Sequence, residues 1–152
     1  MQSQQALRCL QQCFQVTLAA ASAQDKLSEF LPKQAPAGRV VVVGAGKGAA
    51  AMAAELERVW PYPEVPLSGL VITRYGHACP TQFIEVVEAS HPVPDAAGEA
   101  AAKRVLASVQ GLQAYDLVIA LISGGASALL SLPCADISLE NKRAVNKALL
   151  HS

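Results

Sequence analysis

The sequence predicts an α/β domain: a Rossmann-like, three-layer fold with a mostly parallel sheet flanked by helices. Short apolar runs rich in β-branched residues, typical of strands buried on both faces, alternate with Ala-rich segments at helical spacing. Two glycine-rich turns, at residues 44–48 and 123–127, follow such runs directly. The 152 residues are 52% hydrophobic but only 5% aromatic, which favours helices packed closely on a sheet over a β-sandwich.

The elements follow from periodicity and from the residues that end each run. Helices are predicted for residues 3–22, 49–60, a segment capped by Asp95, a short segment after the second glycine turn, and 139–150. Strands are predicted for residues 40–43, 70–73, 83–88 and 117–122, the last apolar throughout and buried. The direction of the third strand stays open, because about ten residues without a helix separate it from the second and parallel pairing usually needs more.

The chain divides into an N-terminal helix and connector, residues 1–38, and an α/β core, residues 39–152. The last helix is followed by no Gly, Asn or Pro of the kind that usually ends one, so the core is expected to be part of a longer domain. Twelve basic residues balance twelve acidic ones, which argues against a nucleic-acid partner. The uncharged stretch 117–135 is close to the length of a membrane-spanning helix, but it contains two glycines and Pro133 and divides better into a strand, a turn and a short helix. We therefore expect no membrane partner, and we expect a cytoplasmic location.

The chemically interesting residues fall just after the strands. Because ligands bind beyond the carboxyl ends of strands in an open parallel sheet, these segments predict one cleft. Gly44, Gly46 and Gly48 follow the first strand and allow close approach of the backbone to a ligand. The helix that begins there directs its positive end into the same space, so the loop predicts a phosphate or carboxylate site.

Lys47 stands among these glycines. It is either a solvated lysine or the group that an arriving anion neutralises, and we favour the second because a cation opposes the dipole at a helix start. Gly44, Gly46 and Ala49 also fit GxGxxA, the loose form of the dinucleotide fingerprint. Since the second strand ends in Thr73 and Arg74 rather than in an acidic residue, NAD is disfavoured while NADP is retained.

The second glycine turn offers Ser123, Gly124, Gly125 and Ser127, either as donors to a phosphate or hydroxyacid or as a tight turn capped by serines. His91 precedes Pro92 and is held extended at the rim of the sheet, where it is a substrate contact or a hydrogen-bonded structural residue. No group of Cys and His has zinc spacing, so no metal ligands are assigned.

Taken in series, the segments VVGAGKG, Gly76-His77, HPVPD and LISGGASALL resemble the N-terminal part of class II glycerate kinases. These are glycerate 2-kinases with a C-terminal MOFRL domain, sometimes labelled hydroxypyruvate reductases. The resemblance implies transfer of the ATP γ-phosphoryl group to the 2-hydroxyl of D-glycerate, with Mg²⁺, in a cleft between two domains. It places a catalytic lysine on Lys47, and the SGG loop of the family on residues 123–127, with Ala126 where a third glycine is frequent.

The family is more than twice as long, so the resemblance implies an N-terminal fragment that lacks the C-terminal MOFRL domain and is inactive alone. Two other functions stay open: an NADP-linked hydroxypyruvate reductase and a non-catalytic nucleotide- or sugar-phosphate-binding module. The oligomeric state is open as well, with a homodimer as one option.

Overall fold

The computed structural model describes residues 2–22 and 26–152, so residues 1 and 23–25 of the predicted N-terminal segment lie outside the described part. The strands within these ranges are β1 Val40–Gly46, β2 Leu67–Arg74, β3 Glu85–Ala89 and β4 Leu117–Ser123. The helices are α1 Gln2–Ala21, α2 Ala49–Val59, α3 Ala96–Ser108 and α4 Leu139–Leu150, with a short 3-10 helix at Leu27–Phe30.

The four strands form one parallel sheet in the order β3-β2-β1-β4. One face packs against α2 around Val42, Leu56 and Leu121, and the other packs against α3 around Ile72 and Leu129. The predicted three-layer α/β fold is therefore confirmed. The third strand, whose direction the sequence leaves open, runs parallel to β2.

The connection between β2 and β3 is held by a single carboxylate. Glu57, near the end of α2, accepts hydrogen bonds from the backbone N–H groups of Gln82, Phe83 and Ile84 at 2.7, 2.8 and 2.8 Å. These contacts tie the chain to α2 just before β3 begins, and Ile84 is buried against the core on the α2 side. Fixing three amides in this way lets a connection without a helix return the chain for parallel pairing.

The prediction that β4 is a buried strand is correct for one of its faces only. Leu121 is buried, but Val118, Ala120 and Ile122 point to the opposite face and are exposed. The reason is that α3 packs against β2 and β3 and leaves the β4 end of that face uncovered by any described helix. An apolar run indicates which side chains favour burial. Whether they are buried depends on which other elements pack against that face of the sheet.

The short helix predicted after the second glycine turn is absent from the described residues. The segment makes a single turn instead, in which the N–H groups of Leu129 and Leu130 both donate to the carbonyl of Ala126, at 3.0 and 2.8 Å. Leu129 is fully buried beneath α3. One turn is enough to bring this side chain into the core.

Helices α1 and α4 form as predicted, but their apolar faces lie open. On α1, Leu10 and Phe14 are 67% and 60% exposed, and on α4, Leu149 is 69% exposed. Across the described residues, no helix combines the length and the hydropathy that crossing a membrane requires.

We predict that Glu57→Ala destabilises the full chain by about 3 kcal/mol, since charged hydrogen bonds contribute about 1.5–3 kcal/mol each and three amides lose their acceptor. The measurement is chemical denaturation followed by circular dichroism. Glu64→Ala removes a carboxylate that is exposed, and is the matched control. Equal stability of the two variants would contradict the role assigned to Glu57.

Candidate functional site

The carboxyl ends of all four strands meet at one edge of the sheet, and the chain changes direction there between β1 and β4. From β1 the chain moves to β2 and β3 on one side, and then to β4 on the other. Ligands of open α/β sheets bind at such a switch point. Both predicted glycine loops lie at it, and the N–H of Gly48 donates to Ser123 Oγ at 3.2 Å.

The glycines of the first loop are required by packing against β4. A Cβ at Gly44 would lie 2.4 Å from the carbonyl oxygen of Leu121, and one at Gly46 would lie 2.2 Å from that of Ser123. Gly46 also has φ +132°, a conformation that side chains disfavour. A Cβ at Gly48 would lie 2.8 Å from Ser123 Oγ. These three glycines therefore allow the two loops to pack together. The sequence alone had suggested a different reason for them, the close approach of a ligand.

The glycines of the second loop are different, because they face open space. An added Cβ would meet no described atom within 4 Å at Gly124 or Gly125, and both residues are exposed. Ser127 is exposed beside them, while Ser123 is half-buried against Gly48. The backbone of this loop is therefore accessible to a ligand at the switch point.

Lys47 is exposed and forms no ion pair with a described residue. Its carbonyl oxygen accepts a hydrogen bond from Thr73 Oγ1 at 3.3 Å. Thr73 is fully buried, so its hydroxyl serves the fold and is unavailable to a ribose. The backbone of Lys47 is thus fixed to the end of β2, while its ammonium group has no counter-charge among the described side chains.

Positive charge collects at the ends of the neighbouring strands. His91 is half-buried beyond β3, and burial of its ring, followed by the positive charges of Lys47 and Arg74, lowers its pKa. The structure therefore brings Lys47 and Arg74 within electrostatic reach of His91, and we call these three residues the strand-end cation cluster. Arg74 is the member that sequence reasoning missed as an anion ligand, having weighed it only for NADP.

The carboxylates near this edge are occupied by backbone groups. Glu88 accepts from the N–H groups of His77 and Ala78 at 3.1 and 3.2 Å. Asp95 caps α3 by accepting from Gly98 N at 2.9 Å, and accepts from the hydroxyl of Tyr75 at 2.8 Å. Burial opposes the ionised form of Asp95, but these hydrogen bonds outweigh it and lower the pKa of its carboxyl.

A metal site is not built from these residues. The described ranges contain no group of three or more His, Cys, Asp or Glu side chains that could hold an ion. Magnesium prefers oxygen ligands, usually one or two carboxylates with phosphate and water, and both nearby carboxylates already accept backbone hydrogen bonds. The described residues alone therefore do not form a closed metal site.

A cleft of about 720 Å³ opens beside the switch point. Gly48, Met52 and Ser123 line it, together with the end of α1 and the 3-10 helix. Of the predicted site residues only Gly48 and Ser123 reach it, and Lys47 and His91 do not. The cleft and the cation cluster therefore adjoin the same pair of loops from different directions.

The family model described as "Domain of unknown function (DUF4147)" matches residues 9–152. A protein of Agrobacterium vitis named "Putative hydroxypyruvate reductase" is 52% identical over 147 residues, covering 97% of this chain and 33% of that protein. A "D-glycerate 2-kinase" of Thermotoga maritima is 39% identical over 127 residues, covering 83% of this chain and 30% of that enzyme. The chain spans about a third of the length of the curated relatives it matches.

A solved structure has a similar fold. The crystal structure of a glycerate kinase from Thermotoga maritima superimposes with a TM-score of 0.70 at 35% identity, covering 85% of this chain and 30% of that one. At this identity and coverage the likeness extends beyond local motifs to the α/β fold as a whole.

The two kinds of glycine predict opposite results for the same substitution. Gly46→Ala should destabilise the full chain by about 3 kcal/mol or more, because the methyl group meets a backbone carbonyl and the residue has positive φ. Gly125→Ala should change the free energy of unfolding by about 0.5 kcal/mol or less, because its surroundings are open. Denaturant unfolding measures both, and equal losses would refute the distinction.

Proposed function

The chain belongs to the family described as a domain of unknown function, DUF4147, and we propose that it supplies the N-terminal part of an ATP-dependent kinase that phosphorylates the 2-hydroxyl of D-glycerate. The resemblance to glycerate kinases that the motifs indicate is confirmed by relatives and by a solved structure carrying that name. The activity, its substrates and the roles of individual residues belong to the proposal.

One observation carries the proposal: two loops with different tasks meet at the switch point beside a lysine that no described acidic side chain pairs. The first loop is fixed by packing on β4, and the hydrogen bond from Gly48 to Ser123 links it to the second. The second loop exposes the backbone at Gly124 and Gly125. Phosphoryl transfer depends on positioning and on neutralising charge, and an exposed backbone with a nearby ammonium group supplies both.

In the proposed reaction, the 2-hydroxyl oxygen of D-glycerate forms a bond to the γ-phosphorus of ATP. The bond from that phosphorus to the β–γ bridging oxygen breaks, ADP departs, and the hydroxyl proton is released. We assign to Lys47 the neutralisation of charge on the transferring phosphoryl oxygens. The second loop donates hydrogen bonds to substrate oxygens through Ser123, Gly124, Gly125 and Ser127. His91 contacts the acidic substrate.

The proposal includes ATP and D-glycerate as substrates, with Mg²⁺ as the resemblance implies, and assigns no step to a metal, since the described residues contain no group of three or more metal-ligating side chains. The phosphate chain of ATP fits this site, because Gly124 and Gly125 leave space at the backbone and the nearby charges are positive. Phosphate oxygens bind readily to exposed amides and cationic side chains.

We further propose that residues 39–152 work as part of a larger α/β domain, preceded by the helix and connector of residues 1–38, and facing a second, MOFRL-type domain. The exposed apolar side chains on α1, β4 and α4 support this, because patches of that kind usually mark a contact surface. We therefore expect residues 1–152 alone not to release ADP from ATP in the presence of D-glycerate.

An NADP-linked hydroxypyruvate reductase is the second candidate, favoured by the name of the Agrobacterium vitis relative. The structure supports it less well, because Thr73 at the ribose position is buried and bonded to the Lys47 carbonyl. Oxidation of NADPH by the full-length enzyme with hydroxypyruvate tests it directly. Binding of a sugar phosphate without turnover of either substrate pair would favour a binding module.

Lys47→Ala in the full-length enzyme should lower kcat for glycerate phosphorylation roughly 100-fold or more, the scale found when a group that stabilises transition-state charge is removed. Its stability should change by about 0.5 kcal/mol or less, because the side chain is exposed. A coupled ADP assay and thermal unfolding provide the two readouts.

Lys33→Ala is the matched control, since Lys33 is also exposed but lies in the connector away from the strand ends. It should leave both quantities unchanged. If Lys47→Ala retained the wild-type kcat, or lost stability in proportion to activity, Lys47 would have no catalytic role.

A further inference from the structure

We propose that Arg74 is a substrate-binding residue that holds one oxyanion jointly with Lys47. This inference rests on the proposed kinase function for the identity of that oxyanion, which is the carboxylate of the acid substrate or a phosphate of the nucleotide. The shared anion site itself rests on strand register, on the fixed backbone of Arg74 and on the charges around it.

Lys47 directly follows β1, and Arg74 is the last residue of the neighbouring strand β2. The parallel pairing of β1 with β2 runs as far as Ala45 opposite Ile72, so the residues that follow both strands lie at the same edge of the sheet. Neighbouring strands are separated by about 4.8 Å. The hydrogen bond from Thr73 Oγ1 to the Lys47 carbonyl ties the two backbones together one residue before Arg74.

The backbone of Arg74 is also held from the other side. Arg74 pairs with Ala89 of β3, and the N–H of Tyr75 donates to the Ala89 carbonyl at 3.2 Å. The carbonyl of Arg74 itself accepts from His77 N at 3.1 Å, which closes a tight turn through Gly76 at φ +75°. Because this backbone is already held in place, binding of a ligand by Arg74 does not have to order the main chain, as it would on a mobile loop.

The guanidinium group of Arg74 is available to a ligand. Arg74 is exposed and forms neither an ion pair nor a side-chain hydrogen bond with any residue in the described ranges. The acidic side chains near this edge, Glu88 and Asp95, accept hydrogen bonds from backbone groups instead. An arginine can bind a carboxylate or phosphate through two parallel hydrogen bonds, a geometry that lysine cannot supply.

The electrostatic surroundings of His91 support this placement. Besides burial, the positive charges of both Lys47 and Arg74 lower the pKa of the imidazole, so both cations lie close enough to His91 to act on it. An anion bound between them would cancel part of that field and raise the pKa of His91. The ring therefore reports on occupancy of the site without taking part in chemistry.

The first test is steady-state kinetics of Arg74→Gln in the full-length enzyme. We expect the KM of one substrate to rise roughly 10- to 100-fold, the range for loss of charged hydrogen bonds, with a smaller change in kcat. A rise for D-glycerate assigns the carboxylate, and a rise for ATP assigns a phosphate. Arg74→Lys keeps the positive charge but cannot form two parallel hydrogen bonds, so its KM for that substrate should lie between those of the wild type and Arg74→Gln.

Arg143→Gln is the matched control, because Arg143 is exposed on α4 away from the strand ends. It should leave both Michaelis constants unchanged. If Arg74→Gln folded normally and also left both constants within about two-fold of wild type, the proposal for Arg74 would be overturned while the kinase function stood.

A second test does not depend on turnover. Inorganic phosphate is titrated into the full-length protein while the His91 ring signals are followed by NMR, assigned with His91→Gln. We expect phosphate to raise the pKa of His91 in the wild type, and to do so at least 10-fold less tightly in Arg74→Gln. If wild-type enzyme does not phosphorylate D-glycerate, the kinase proposal fails and this titration still decides on Arg74. No phosphate effect, or an equal one in both proteins, overturns the shared site.

Discussion

The close approach of β1 and β4 at their carboxyl ends is the constraint on which the rest of the site depends. It is permitted because Gly44 and Gly46 lack a Cβ where the backbone of β4 passes. With any other residue at these two positions the strands would have to move apart. The hydrogen bond from Gly48 to Ser123 would then break, and the two loops would no longer be in contact. The site is therefore a consequence of sheet packing before it is a consequence of ligand chemistry.

Local patterns predicted the order of elements because strand runs, glycine turns and caps are short-range features. Asp95 is an example, since its side chain accepts from Gly98 just as an N-cap should. Burial was predicted less well. Val118 and Ile122 lie in an apolar run, yet none of the described helices crosses that part of the sheet, and only tertiary structure decides where a helix crosses.

Contacts between distant residues account for what the sequence did not reveal. Glu57 accepts hydrogen bonds from the amides of Gln82 to Ile84, some 25 residues away, just before the parallel strand β3, and no spacing rule predicts such a contact. Arg74 was overlooked for a related reason. Its nearness to the Lys47 backbone follows from the parallel pairing of β1 with β2 and from the contact of Thr73 with the Lys47 carbonyl, which a single sequence does not contain.

The distribution of charges at this edge favours a ligand. Both acidic side chains nearby, Glu88 and Asp95, accept hydrogen bonds from backbone amides, while Lys47 and Arg74 have no counter-charge among the described residues. Fold stability alone gives no reason for this arrangement, since moving one carboxylate toward the cations would relieve their repulsion. Two cations on fixed backbones, beside a histidine whose protonation their field opposes, gain most when an anion arrives. The carboxylates thus serve the fold, and the cations are left for the substrate.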